Sequence, residues 1–355
     1  MQDIEKTTIS ESELHRLATL ALCGFGVAEA AAADAAKVLV LAEMMGITTH
    51  GASRVAQYGS RLRIGGIKPD AAIVATRVAP ALATLDGDNG LGPAIGMAAL
   101  TEAMDMARDA GIGAVFVRHS NHFGPIAPYA LLAAEAGFAS FIASNASTTI
   151  APTGGAEAKL GNNPLGFGFP NPAGHPVILD MAMSVVARGK IRDAETAGQP
   201  IPEGWGTDAD GRPTTDPTAA LKGFLLPMGG YKGYGLSLCV DLMTGMLSNA
   251  AYLTHVKSWS SEPEAAQNLG HSFILIDTSR LMPAAELGER MEDFGTILHE
   301  TQPSDPAVLV QLPGERELKR LRQARETGIS LPTAVLANLR DLAAVTESFS
   351  PKENV

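Results

Sequence analysis

Residues 111–145 read GIGAVFVRHSNHFGPIAPYALLAAEAGFASFIASN, and this stretch decides the fold class. GAVFVRHS is an apolar run of strand length. PYALLAAEAG has helical character and stops at Gly137, and FASFIASN is a second buried strand. Strand, helix and strand in alternation are the signature of α/β layering. The polar loop after the first strand is where proteins of this class bind ligands, because it lies beyond a C-terminal strand end.

Working outward, AAIVATRV (71–78) and ALATLDG (81–87) read as strands, and residues 93–111 read as an amphipathic helix with Pro93 in its first turn. Nearer the N-terminus the chain reads as helical. Ser10 and Glu13 form a capping box for a helix reaching about Gly24. An Ala-rich helix spans residues 27–45 and stops at Gly46. Val55, Tyr58 and Leu62 then share a helical face before Gly65-Gly66. Downstream, strands are predicted at LGFGFP (165–170), HPVILDMA (175–182) and HSFILIDTS (271–279), and helices over 235–247, 315–327 and 331–344. The tail SFSPKENV reads as frayed. This pattern predicts a helical domain, residues 1–72 plus 313–355, clasping an α/β domain, residues 73–312.

The chain has 355 residues, 46% hydrophobic and 18% charged, enough to bury a sizeable core. Its net charge of −11 disfavours nucleic-acid and membrane-surface partners, so cations that serve an acidic ligand must be concentrated locally. Cys23 and Cys239 lie in apolar surroundings and read as small buried residues, with no disulfide framework. MQDIEKTTIS has no basic segment followed by an apolar one, and no apolar run reaches spanning length. A cytoplasmic location is therefore expected.

Three segments are candidates for chemistry, the third of which also reads as a glycine-rich tight turn. In Thr48-Thr49-His50-Gly51-Ala52-Ser53-Arg54, the imidazole is the natural acid–base group near neutral pH, the Thr49 hydroxyl can hold its tautomer, and Arg54 can pair bidentately with a carboxylate. The bland alternative is a helix-capping turn with a surface Arg. In Arg118-His119-Ser120-Asn121-His122-Phe123-Gly124-Pro125, two histidines face opposite ways on an extended segment. No Cys or carboxylate lies nearby to complete a metal site, so none is expected. In Met228-Gly229-Gly230-Tyr231-Lys232-Gly233-Tyr234-Gly235, glycines let backbone amides approach a phosphate and Lys232 adds charge. No GxGxxG with a following acidic residue is present, which disfavours a standard Rossmann domain. Asp208, Asp210 and Asp216 read as a polar turn, because the Glu that a calcium loop needs is Ala219 here.

Taken together, THGASR, GGIKPDA, DGDNGLGP, NHFG, APTGGAE, LGNNP, LDMAMS, GRPTTDP, LLPMGGYKGYG and LPGERE resemble, in order, the malate/L-lactate dehydrogenase family that is unrelated to the Rossmann-type enzymes of those names. The family also includes ureidoglycolate, sulfolactate and 2,3-diketogulonate oxidoreductases and cyclic-imine carboxylate reductases. The resemblance implies a family-specific nicotinamide-binding sheet in a homodimer, with NAD or NADP as cofactor and a small 2-hydroxy or 2-oxo acid as substrate. It implies that His50, with Thr49 beside it, transfers the proton and that Arg54 grips the carboxylate. His122 holds the proton-transfer role in some relatives, so both histidines stand as candidates. Implied cofactor contacts are His122-Phe123-Gly124, Asp180-Met181-Ala182, Lys232 and Pro313-Gly314-Glu315. His271 matches a recurring family position of undefined role. Asn162 stands where many relatives have Thr, near substrate in some members, which leaves the particular acid open. The alternatives are NAD(P)H-dependent reduction of a cyclic imine carboxylate and an inactive ligand-binding homologue.

Overall fold

The computed structural model describes residues 5–347, so the tail read as frayed and the first four residues lie outside the described residues. Strand β1 (Lys6–Ile9) leads into helices α1 (Glu11–Cys23) and α2 (Glu29–Met44), a 3-10 turn at Thr48–His50, and α3 (Arg54–Arg63). The Ser10 hydroxyl caps α1 by accepting from the Glu13 amide at 3.2 Å. Next come β2 (Val74–Ala79), β3 (Leu82–Asp86), α4 (Gly92–Ala110), β4 (Ile112–Ser120), α5 (Ala127–Glu135) and β5 (Phe138–Ser144). Then follow β6 (Thr148–Ile150), β7 (Leu160–Gly161), β8 (Leu165–Phe169), β9 (Val177–Met181), α6 (Arg188–Thr196), α7 (Pro217–Lys222) and α8 (Tyr231–Asp241). The chain continues through β10 (Leu269–Asp277), α9 (Ala284–His299), α10 (Glu315–Thr327), β11 (Ile329–Pro332) and α11 (Thr333–Glu347).

The main sheet has seven strands in the order β2-β3-β4-β10-β5-β8-β9. Layering of helices on a sheet is as expected, but the sheet is mostly antiparallel: only β3 and β4 pair in parallel. The β4–α5–β5 unit does not place its two strands side by side. Strand β10, from far along the chain, inserts between them and runs antiparallel to both. Its burial explains the position, since residues 269–273 are all buried and Phe273 and Leu275 are fully so. On β4, Gly113, Val115 and Val117 turn inward. A side chain at Gly113 would overlap the Ala103 carbonyl, so α4 lies directly on the strand through Ala99, Ala103 and Ala107. Fully burying Val115 and Val117 contributes about 1.5–3 kcal/mol each.

The two chain ends meet. β1 pairs with β11 in the register Lys6↔Pro332, and the Thr346 hydroxyl on α11 donates to the Leu20 carbonyl on α1 at 2.8 Å. The last helix therefore begins at Thr333 rather than at 331, because residues 329–332 pair as a strand. The helix expected from Gly235 begins at Tyr231 instead. Gly229 and Gly230, with φ of 58° and 64°, complete the turn, so the helix starts four residues earlier, and it runs on into a π turn at Leu242–Met246. Helix α9, absent from the sequence reading, is mostly exposed.

Candidate active site

The turn carrying His50 is shaped by a buried acid. Glu43, near the end of α2, accepts the Ala52 amide at 2.9 Å, and burial raises its carboxyl above the usual range. A side chain at Gly51 would overlap that carboxylate, which is the physical reason for glycine after His50. Thr49 Oγ1 lies 2.9 Å from His50 Nδ1, leaving Nε2 for other work. Arg54 opens α3. Its Nε donates to the Thr49 carbonyl at 2.6 Å and its Nη1 to Gln57 Oε1, which holds the guanidinium at two points. Two Nη2 hydrogens and one on Nη1 remain as donors for a carboxylate.

The strand end at His122 meets this turn. The His50 and His122 rings stack at 5.3 Å, and the indole of Trp259 stacks on His122 at 4.8 Å with 18° between planes. Arg54 lies over the Trp259 ring at 4.7 Å. Tyr58, one turn after Arg54 on α3, has its hydroxyl 2.8 Å from His122 Nδ1. Burial holds the Tyr58 hydroxyl protonated. Burial, then the Arg54 charge, lowers His50 to about 4. His122 falls well below its ordinary value through burial first and His50 next. Both imidazoles are therefore neutral at pH 7.

Tyr58, Arg61, Trp259 and Gln267 are the residues that sequence reasoning missed. Tyr58 was read only as part of an apolar face. Arg61, 3% exposed on the same stripe of α3, was the available signal, since a charge on a core-facing stripe demands partners. It donates to the Pro263 and Ala265 carbonyls, to Gln267 Oε1 and to Asn121 Oδ1. Gln267 Oε1 also accepts the His122 amide at 3.2 Å. His271 is no part of the ring stack. It is fully buried in β10, bonded at 2.8 Å to Ser144 on one side and to Ser120 on the other, stacked on Phe123 at 4.2 Å, and lowered by burial to about 3.

Hydrogen bonds link most of the segments read as cofactor contacts to one another, beginning from the residues after His122. Phe123 and Gly124 lead into α5, whose first amide, Ala127, donates to Asp180 Oδ2 at 2.9 Å. Burial raises Asp180 to about 6. The Ile178 amide donates to the Pro313 carbonyl at 3.1 Å, and Gly314, at φ 89°, packs where a side chain would come within 2.8 Å of the Ile178 carbonyl. Glu315 is held by His299 at 2.6 Å. Beyond Met181 and Ala182, the Met183 amide donates to the Asn162 carbonyl at 2.8 Å, and the Met228 amide to the Met183 carbonyl at 2.9 Å. Lys232 is exposed in the first turn of α8. A side chain at Gly229 or Gly230 would meet nothing within 4 Å, so this turn presents open backbone next to a cation, chemistry that fits a pyrophosphate.

Other features part company with the site. His119 bonds Asp86 at 2.9 Å, away from the Tyr58 partner of His122. Asp208 folds back on the amides of Asp210 and Arg212, a polar turn, and Asp216 caps α7. Cys239, read as buried, is exposed on α8, and Cys23 is only partly covered, because each lies on the outer side of its helix while the neighbouring Leu22 and Val240 face the core. Among the described residues, no group of three or more His, Cys, Asp or Glu is placed to hold a metal, and no helix is long and apolar enough to cross a membrane.

The malate/L-lactate dehydrogenase family profile matches residues 9–340, and the chain belongs to that family. It is 35% identical over 343 residues to the malate dehydrogenase of Pyrococcus abyssi, covering 94% of each chain. It is 36% identical over 337 residues to the (2R)-3-sulfolactate dehydrogenase (NADP(+)) of Chromohalobacter salexigens, covering 94% of this chain and 98% of that one. The crystal structure of Δ1-piperideine-2-carboxylate reductase from Pseudomonas syringae superposes with a TM-score of 0.86 at 30% identity, over 95% of this chain and 99% of that one.

Proposed function

We propose that this chain is an NAD(P)-dependent oxidoreductase that interconverts a small 2-hydroxy acid and its 2-oxo acid at the Arg54–His50–His122 cluster. The observation that carries the reading is the stack itself: one guanidinium and two neutral imidazoles, brought together from separate elements. The cofactor, when bound, supplies hydride acceptance and return. The segments at 122–124, 180–182 and 313–315, with Lys232, would hold it. Arg54 anchors the C1 carboxylate through its remaining N–H groups. The Tyr58 hydroxyl, kept protonated by burial, donates to His122 Nδ1, which leaves the Nε2 hydrogen of His122 to bond the substrate oxygen. His50, with Nδ1 on Thr49, takes the hydroxyl proton at Nε2 as the C2 hydride departs, and returns it in reduction.

Reduction of a cyclic imine carboxylate is the second reading, favoured by the likeness to the piperideine-carboxylate reductase. Its acceptor can arrive protonated, so it depends less on a histidine acid. A panel of pyruvate, oxaloacetate, sulfopyruvate and Δ1-pyrroline-2-carboxylate, each with NADH and NADPH and followed at the nicotinamide absorbance, separates the two. Turnover of an oxo acid supports the first reading. Turnover of the imine alone favours the second, and cofactor binding without turnover leaves a ligand-binding homologue.

The same proposal includes a cytoplasmic homodimer and a helical unit, residues 1–72 with 313–355, around a nicotinamide-binding unit, residues 73–312. The β1–β11 pairing supports the division. An apolar stripe along α8 and its π turn, with Leu242 47%, Met246 53% and Leu247 68% exposed, supports the dimer.

A further inference from the structure

Trp259 sits on the loop before β10, and nothing in the chemistry above assigns it a task. Besides packing on the core, its indole meets two working groups, with the Arg54 guanidinium 4.7 Å from the ring centre and the His122 ring stacked at 4.8 Å. The loop that carries it is tied to α3, the helix that also carries Arg54 and Tyr58. Arg61 donates to the carbonyls of Pro263 at 3.0 Å and Ala265 at 2.8 Å, and to Gln267 Oε1 at 3.1 Å. The Gln267 side chain in turn donates to the Lys257 carbonyl at 3.2 Å, two residues before the indole.

We propose that Trp259 is a positioning residue that sets the tilt of the Arg54 guanidinium and the rotation of the His122 ring for a bound 2-oxo acid. The hydrogen bonds of Arg54 to Thr49 and Gln57 lie in the guanidinium plane. They hold the group at two points but leave the plane able to rock. A flat ring against its face removes that freedom. Among the described residues the His122 ring has one hydrogen-bond partner, Tyr58, and a single pivot lets a ring turn. Stacked against both His50 and Trp259, it keeps Nε2 in one direction. The inference rests on the reading of Arg54 as the carboxylate anchor.

The test uses the full-length protein. The chain has two tryptophans, so the Trp205→Phe background reports Trp259 emission alone. Titration with oxamate, a 2-oxo acid analogue without a reducible ketone, is expected to change that emission saturably, and Arg54→Ala is expected to abolish the response. In steady-state reduction of the best acid of the panel, Trp259→Ala is expected to raise KM on the order of tenfold and lower kcat by about threefold or less. Trp259→Phe, which keeps a ring face, is expected to recover most of the KM. An unchanged KM in a Trp259→Ala protein that still binds NAD(P)H like wild type overturns the proposal, and so does emission blind to oxamate in an active enzyme. If wild type turns over no acid, the parent reading fails separately, and the oxamate titration still decides whether Trp259 senses a carboxylate at Arg54.

Discussion

Lowering the pH is the most direct perturbation of the His50 assignment. Oxidation needs a neutral imidazole. Burial, with the Arg54 charge second, lowers His50 from 6.5 to about 4. With a folded value below the free one, the neutral form persists as pH falls from 7 and is lost only near 4. At pH 5.5 about 97% of the base stays neutral if its pKa is about 4, against about 9% at 6.5, a tenfold difference in kcat/KM. The outcome is robust to which histidine acts, since His122 shifts in the same direction. Substrate carboxylate on Arg54 cancels part of the repulsion, so the acid limb of kcat should lie above that of kcat/KM. In reduction the order reverses: the rate should climb as pH falls, because the imidazolium is scarce at neutrality. The assay is kcat/KM for hydroxy acid oxidation between pH 4.5 and 8, with circular dichroism confirming the fold at each pH. A limb with its midpoint near 6.5 refutes the argument, for it would mean that water reaches the ring and burial does not govern it.

Arg54→Ala should raise KM by about 10- to 100-fold with a much smaller change in kcat, as expected from losing a charge-assisted bidentate contact, read from initial rates with the best acid. Tyr58→Phe removes the only described partner of His122 Nδ1 and should lower kcat about tenfold while leaving NAD(P)H binding intact; an unchanged kcat would remove Tyr58 from the mechanism. Gly51→Ala should destabilise the fold by about 1–3 kcal/mol in urea unfolding, because the new methyl overlaps the Glu43 carboxylate. Leu247→Glu should convert a dimer to a monomer in light scattering if the α8 stripe is the subunit contact.

The local elements were legible where period and punctuation agreed. The capped α1, the Ala-rich α2 and the strand–helix–strand run of residues 111–145 all follow from alternation, helical spacing and glycine stops, which are properties of neighbouring residues. The start of α8 was misjudged because GGYKGYG reads as a turn throughout, whereas only its first two glycines take left-handed backbone. Helix α9 was missed although its Pro283-Ala-Ala-Glu opening carries a start signal.

For the site, sequence by itself determined the chemical parts: an imidazole beside a hydroxyl, a guanidinium four residues on, a second histidine at a strand end, and a glycine-framed lysine. The tertiary structure decided how they combine. It set β10 between β4 and β5, put Trp259 against His122 and Arg54, and gave Tyr58 to His122. It also decided that both imidazoles are neutral. Desolvation and stacking depend on every atom that excludes water from a group, and those atoms come from residues as far apart in sequence as 50, 122 and 259. No spacing rule along the chain can express that, whereas the choice of His, Arg and Gly at a turn is written locally.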